Sequence, residues 1–371
     1  MPTQWKMAKV SPIPKVFPPV SLSSDFRPIS ITSSISKVAE YCLCNFFNEH
    51  FNKFLDSNQF GCTPKRSTTF ALIKFSHFLF TESDKQHNIL RILFVDFMKA
   101  FDLVDTNVLF RKLVELDFLR HVTAWFLSFL DDRQQFVKVD EFSSSFANIH
   151  AGTPQGTISG PNNFRLLIND LRFDLHYIKY VDDTMAVSSS DDPFDNALQT
   201  SVDNLCDWCD ENGMRLNVPK TKEMVIYFGK TFNLDFIPML KIDNRNVDRV
   251  CNFKLLGVVF SSDLTWHAHI SYILDKVPRR LFIIRQLVRS GISFSDIIVI
   301  YCSFIRSVME YACPVWHCGL RKGESSDLER VQKRVLRIMY PITATRRPWS
   351  YLAWTLGETG RAQGTYYTRN V

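Results

Sequence analysis

Residues Ile89-Leu90-Arg91-Ile92-Leu93-Phe94-Val95 form an almost unbroken apolar, β-rich run that ends in Asp96. A strand that is apolar at successive positions has no solvent face. It therefore predicts a central strand covered by other layers on both sides. A carboxylate where such a strand leaves the core is costly unless an opposite charge meets it. A second acidic site, Asp182-Asp183, falls at the tip of a hairpin predicted over His176–Ser188. Adjacent aspartates repel, and a divalent cation relieves that repulsion. Hard cations take oxygen ligands, and carboxylates from two neighbouring strands suit two ions about 3.5–4 Å apart, the arrangement for in-line displacement at phosphorus. The plainer reading of Asp-Asp is a turn.

The rest of the chain supplies covering layers. Prolines at 12, 14, 18, 19 and 28 make residues 2–30 an extended leading segment. Helical spacing follows over Ser33–Phe54 and Thr68–Phe80, separated by a turn at Asn58–Pro64. Helices are predicted at about 106–117 and 121–131, then a hairpin of Phe136–Val139 with Ser145–Ile149, then a helix over Gly156–Asn169. Asp192-Pro193 reads as the N-cap and first residue of a helix closed by Gly213. Met224–Phe228 and Phe253–Phe260 read as strands, and the spacing is helical from Trp266 to about Tyr340. This predicts an α+β core followed by a helical subdomain, and 371 residues suit two or three compact units.

Charge is unevenly placed. Residues 1–270 carry −3, residues 271–340 carry +6 and residues 341–371 carry +3. An acidic first part and a basic second part suit metal-binding carboxylates beside a polyanion-binding element. On the helix at Asp327–Tyr340, Arg330, Lys333, Arg334 and Arg337 share one stripe, while Leu328, Val331, Val335 and Ile338 share another. That suits a helix with one face to the core and one to phosphates; a solvated basic face is the alternative. No uninterrupted apolar run approaches the ~18 residues of a membrane span, and Met1–Lys6 opens no signal peptide. The expectation is a cytoplasmic or nuclear chain without a membrane partner. The nine cysteines read as reduced thiols, including the lone pair Cys206 and Cys209.

Several motifs resemble those of reverse transcriptases of non-LTR (LINE-type, jockey-like) retrotransposons. Phe94-Val95-Asp96-Phe97-Met98-Lys99-Ala100-Phe101-Asp102 resembles their first palm motif, Gly152 through Pro161 (Gly-Thr-Pro-Gln-Gly-Thr-Ile-Ser-Gly-Pro) the second, and Tyr180-Val181-Asp182-Asp183 the third. Asn212–Asn217 with Lys220-Thr221 resembles the fourth, and Phe253–Phe260 the primer-grip hairpin. Phe26–Ser30 and Gln59-Phe60-Gly61 with Arg66–Thr69 resemble the fingers motifs. The seven run in family order over about residues 5–340.

The resemblance implies a right-hand polymerase fold: fingers at 1–88, palm at 89–262 and a helical thumb-like region at 263–341. It stops after Pro341, and residues 342–371, without sustained spacing, read as a divergent, poorly ordered tail. It implies RNA-directed DNA polymerisation by a truncated mobile-element protein, with an RNA template, a DNA primer and dNTPs as partners and two Mg²⁺ (or Mn²⁺) ions as cofactors. Asp96 and Asp182 take the places of the bridging metal ligands, with Asp183 beside them. Phe101 takes the place of an aromatic that excludes the ribose 2′-OH, with core packing the alternative. Gln155 and Gly156 stand where a nucleotide is met, and Arg66, Lys65 and Arg27 where the triphosphate is. Lys220 stands near the leaving pyrophosphate as a general acid, with Lys222 close by. Asn162-Asn163 depart from the family, which is commonly apolar there. Two other readings stay open: a catalytically weak or inactive nucleic-acid-binding remnant of such an element, and a two-metal nuclease with similar carboxylates.

Overall fold

The computed structural model describes residues 1–21, 25–86, 88–149, 151–229 and 232–339; the tail reading at 342–371 lies outside them. The chain divides into two compact units, Met1–Leu256 with Ser262–Leu264, and Gly257–Ser261 with the residues from Thr265 onward.

In the first unit the leading segment forms β1 (Met7–Pro14) and β2 (Phe26–Thr32), an antiparallel pair, and helix α1 (Ser34–Phe51) follows. Helix α2 (Thr68–Ser83) opens on Ser67, whose hydroxyl accepts from Phe70 N. Next come β3 (Ile89–Val95), α3 (Thr106–Glu115), α4 (Arg120–Leu130) and β4 (Arg133–Val139). β4 pairs antiparallel with β5 (Phe142–Ser143) and β6 (Ala147–Ile149), and parallel with β1. Helix α5 (Ser159–Leu167) precedes β7 (His176–Tyr180), β8 (Asp183–Ser190), α6 (Ala197–Glu211) and β9 (Lys222–Ile226).

β3 is the central strand, antiparallel to β8 on one side and β9 on the other, and all seven of its residues are buried. Its two faces meet different layers. Leu93 and Val95 join the main core with Phe47 and Phe51 of α1, Leu109 of α3, Phe126 of α4, Phe164 of α5 and Val202 of α6. On the other face Phe94 meets Phe75 of α2 edge-on at 6.3 Å and stacks on Phe253 at 3.9 Å. The continuous apolar pattern is thus answered by helices on both sides of an antiparallel sheet.

Two helix starts differ from the expectation. α6 begins at Ala197, because Asp192 Oδ1 accepts from Phe194 N and Asp195 Oδ1 from Ala197 N; these carboxylates close successive turns before the helix. α5 begins at Ser159 rather than Gly156, which sits at φ +103 and cannot be helical. Asn162 and Asn163 are buried in α5, and Asn162 Oδ1 accepts from the buried Arg165 Nη1 at 3.2 Å. Arg165 also reaches Asn48 and Asn52, so the polar helix start is built into a network with α1.

The second unit is helical. α7 (His267–Arg289) buries Ile270, Ile273, Val277, Leu281 and Ile284 and packs on strand Val258–Ser261 and the final helix, Lys322–Met339. Among the described residues one segment, Phe294–Gly319, is long and apolar enough by composition to cross a membrane, with mean hydropathy 1.3. An expectation built on uninterrupted runs missed it, because Asp296, Arg306 and Glu310 are spread through it. It is not one straight helix. A wide turn covers Cys302–Arg306, and the chain breaks at Ala312, φ +51. The continuous part, 294–309, is about 24 Å long at 1.5 Å per residue, short of a ~30 Å hydrocarbon core.

Candidate active site

β3 and β8 pair through Val95 opposite Thr184, which brings Asp96 beside the start of β8. Tyr180 pairs with Asp183, leaving Val181 and Asp182 as a two-residue turn; Asp183 is the first residue of β8. The three acidic residues therefore gather at one end of two neighbouring strands, whose backbones run ~4.8 Å apart. They feel one another. The surrounding protein withdraws water from Asp183, and Asp182 and Asp96 add like charge, so its carboxyl is pushed up to about 6. Desolvation and Asp96 raise Asp182 as well. Three repelling oxygen donors suit a hard divalent cation by their chemistry. Among the described residues no three His, Cys, Asp or Glu side chains already sit at metal-holding distances, so the carboxylates have to turn toward a shared ion.

The sign of the pH effect follows. A carboxyl whose proton is held more tightly folded than unfolded loses stability as pH rises from about 4 through 6. Asp183→Asn is expected to stabilise the metal-free protein at pH 7.5 by about 1 kcal/mol, discounted for screening because Asp183, though crowded by protein, still reaches solvent. Thermal unfolding should shift up by about 2–4 °C at pH 7.5 and not at all at pH 4. Equal shifts at both values would remove the repulsion argument.

The segment after α6 closes the side of the site next to Asp96. Asn217 N donates to Asp96 O, Met98 N donates to Arg215 O, and Asp96 N donates to Thr221 Oγ1 at 3.2 Å. Lys220 is exposed on this segment, next to Thr221. Lys222 is instead tied to Pro219 O and Asp248 Oδ2, both at 2.6 Å.

On the other side the loop 152–158 lies against the segment after Asp96. Gly152 N donates to Val104 O and Thr153 N to Phe101 O, while Gln155 Nε2 donates to Asp102 Oδ1 at 3.2 Å. A Cβ on Gly152 would lie 2.8 Å from Asp102 O, so only glycine allows that approach. Ser30 N of β2 donates to Gln155 O, which joins the leading strands to this loop. Phe101 is half-buried and stacks on Phe164, centroids 4.9 Å apart.

Gln155, Phe101 and the three aspartates are thus placed on adjoining segments. The cations are less uniform. Arg66 Nη1 donates to Ser57 O and Gln59 O, and its guanidinium lies over Phe60, so much of that side chain braces its own loop. Lys65, at φ +61, and Arg27 are exposed. In the second unit, Arg330 pairs with Asp327 at 2.8 Å and Lys333 with Glu329 at 3.2 Å, while Arg334 and Arg337 are exposed. Burial pushes the thiols of Cys206 and Cys209 up to about 11 and about 12, as expected of reduced, packed cysteines.

Sequence reasoning missed two supports. Glu40 of α1 is fully buried, and its Oε2 accepts from Ile158 N, Ser159 N and Ser159 Oγ, capping α5 from another helix. The buried pair Asp56–Lys179, 2.8 Å, sits behind the Asp182 turn. A lysine inside the apolar strand β7 was the available signal for it.

Comparison with known proteins agrees with this geometry. The sequence profile of the family described as reverse transcriptase (RNA-dependent DNA polymerase) matches residues 13–260. The chain is 26% identical over 353 residues to the probable RNA-directed DNA polymerase from transposon BS of Drosophila melanogaster, covering 91% of this chain and 38% of that protein. It is 25% identical over 354 residues to the RNA-directed DNA polymerase from mobile element jockey of the same fly, with the same coverage. It is 23% identical to the Pol polyprotein of the type-1 retrotransposable element R1 of Bradysia coprophila, covering 90% and 34%. The chain thus spans well under half the length of these relatives. Among solved structures, telomerase from Candida tropicalis in complex with a fragment of telomeric RNA superposes with TM-score 0.50 at 13% identity, over 96% of this chain and 65% of that one. That likeness, with the profile match, assigns the right-hand polymerase fold. Members of this family generally use divalent metal ions. Strand ends that gather Asp96, Asp182 and Asp183, on a fold and a sequence profile that agree, place the chain in the reverse transcriptase (RNA-dependent DNA polymerase) family.

Proposed function

We propose that this chain is an RNA-directed DNA polymerase that adds deoxynucleotides to a primer 3′-OH, with fingers at 1–88, palm at 89–262 and a thumb-like region at 263–341. The observation that carries the reading is the register that sets Asp96 beside Asp183 and the Asp182 turn. Asp96 and Asp182 would hold two Mg²⁺ or Mn²⁺ ions with Asp183 beside them, and bound metal supplies Lewis-acid stabilisation of charge on the primer oxygen and the departing pyrophosphate. The chain's own groups do the rest. Gln155 and Gly156 offer a loop edge to the nucleotide, held in place by Asp102 and Ser30. Lys65, Arg66 and Arg27 meet the triphosphate, and Lys220 gives a proton to the leaving group. The direct test is primer extension on an RNA template with dNTPs and either metal. Absence of product from folded protein would leave the fold without the activity.

Phe101 is the proposed selector for deoxyribose. Its ring leans on Phe164, a contact that rotation away from an added 2′-OH would give up. Phe101→Val is expected to raise ribonucleotide incorporation relative to deoxynucleotide by about 10-fold or more, the scale of a lost steric contact. An unchanged preference would reduce Phe101 to core packing.

The basic stripe is proposed to meet duplex phosphates. Arg330 and Lys333 are already paired with carboxylates of their own helix, so the exposed pair Arg334 and Arg337 should carry more of the effect. Alanine at both should lower the slope of log K against log[salt] by up to about two units. Equal slopes would place the duplex on another surface.

A further inference from the structure

The turn that carries Asp182 is held from outside its own hairpin. Residues 58–60 run alongside β7: Lys179 N donates to Asn58 O at 2.9 Å and Phe60 N to Lys179 O at 2.8 Å. This brings the buried Gln59 to the hairpin tip, where its Oε1 accepts from Gly61 N at 2.9 Å and from Val181 N at 3.3 Å. Gly61 presses on the same turn. A Cβ there would lie 2.8 Å from the Tyr180 carbonyl carbon and closer still to Val181 N. The segment is itself anchored: Asp56 takes Lys179 at 2.8 Å, Arg172 at 2.7 Å and the Tyr177 hydroxyl at 3.0 Å.

Such a brace has work to do. Val181 is β-branched and sits at φ +58, a conformation that such residues rarely hold unless their surroundings impose it. Asp182 and Asp183 are also adjacent like charges beside Asp96 at the end of β3, an arrangement that favours opening the turn. Within the hairpin, the Tyr180–Asp183 pair closes that turn.

We propose that Gln59 is a positioning residue for the carboxylate centre: its side-chain oxygen fixes the Val181–Asp182 turn, with Gly61 as the contact face, so that the Asp182 backbone is in place before metal arrives and only its side chain has to turn. The inference rests on reading the three aspartates as the polymerase centre. Its test therefore includes measurements that do not need activity.

The variant is Gln59→Leu, which removes the acceptor at similar size. Amide exchange at Val181 should speed up at least about tenfold while the β3 and β8 amides keep their protection, which shows the fold intact. The Mn²⁺ midpoint, followed by paramagnetic resonance of the free ion, should rise about tenfold. In primer extension, kcat should fall about 10–100-fold with the dNTP KM within about twofold, the signature of a misplaced reacting group. Unchanged Val181 exchange and an unchanged Mn²⁺ midpoint would overturn the proposal, as would an unchanged kcat where the parent is active. Should the parent extend no primer, the polymerase reading falls and the exchange and Mn²⁺ measurements still decide the positioning role. Should Gln59→Leu not fold, Gly61→Ala displaces the same turn with Gln59 intact. A parental Mn²⁺ midpoint in that variant would overturn the proposal equally.

Discussion

Asp96→Asn is expected to lower primer extension by at least about 10³-fold, since the lost charge contributes several kcal/mol and each 1.4 kcal/mol is tenfold. The side chains are nearly the same size, so packing around the end of β3 is conserved. The Asp96 backbone keeps its bonds to Thr221 and Asn217 whichever side chain is present. The substitution also removes one of the like charges facing Asp182 and Asp183, so the metal-free protein should unfold at the same temperature or slightly higher. Activity and stability are thus predicted to move apart. A variant that lost activity together with several degrees of thermal stability would point to a structural role for Asp96. One that kept activity would remove it from the chemistry.

Asp56→Ala should be the most damaging substitution to the fold among those considered. It leaves the Lys179 ammonium, fully buried, with only the carbonyls of Ile168 and Leu171 as acceptors. Breaking a buried pair by removing one partner costs about 3–5 kcal/mol, because an uncompensated charge stays behind. For a unit of this size the unfolding midpoint should fall on the order of 10 °C. The double variant Asp56→Ala/Lys179→Met should recover much of that loss, since neither charge is then buried alone. If the double variant were as unstable as the sum of the two single ones, the pair would not be coupled. Thermal unfolding of the three proteins side by side makes the comparison.

What could be read from the sequence was what is local. The run Ile89–Val95 announces a strand with two covered faces, and that is how β3 sits. The β-rich stretches on either side of Asp182-Asp183 announce a hairpin, although Asp183 belongs to the strand and Val181-Asp182 to the turn. Motif order then singled out the loop 152–158, and the spacing of charges singled out the basic face of the final helix. The supports were not legible, because their partners lie far apart in sequence. Glu40 caps a helix over a hundred residues later, and Asp56 meets Lys179 only after the sheet has formed. Gln59 looked like part of a motif rather than a brace, since nothing local links it to Val181. The early starts expected for α5 and α6 failed for a different reason. Gly and Asp close turns there before the helices begin, and spacing alone cannot separate the two.

The central claim is that the strand ends bearing Asp96, Asp182 and Asp183 copy RNA into DNA. The measurement that meets it most directly is the sequence of the DNA added to a labelled primer on an RNA of defined sequence, with parent and Asp182→Asn proteins run in parallel in Mg²⁺ and in Mn²⁺. The account predicts added DNA complementary to the RNA from the parent and none above background from the variant. Template-matched DNA from Asp182→Asn at the parental level, or none from folded parent in either metal, would contradict it.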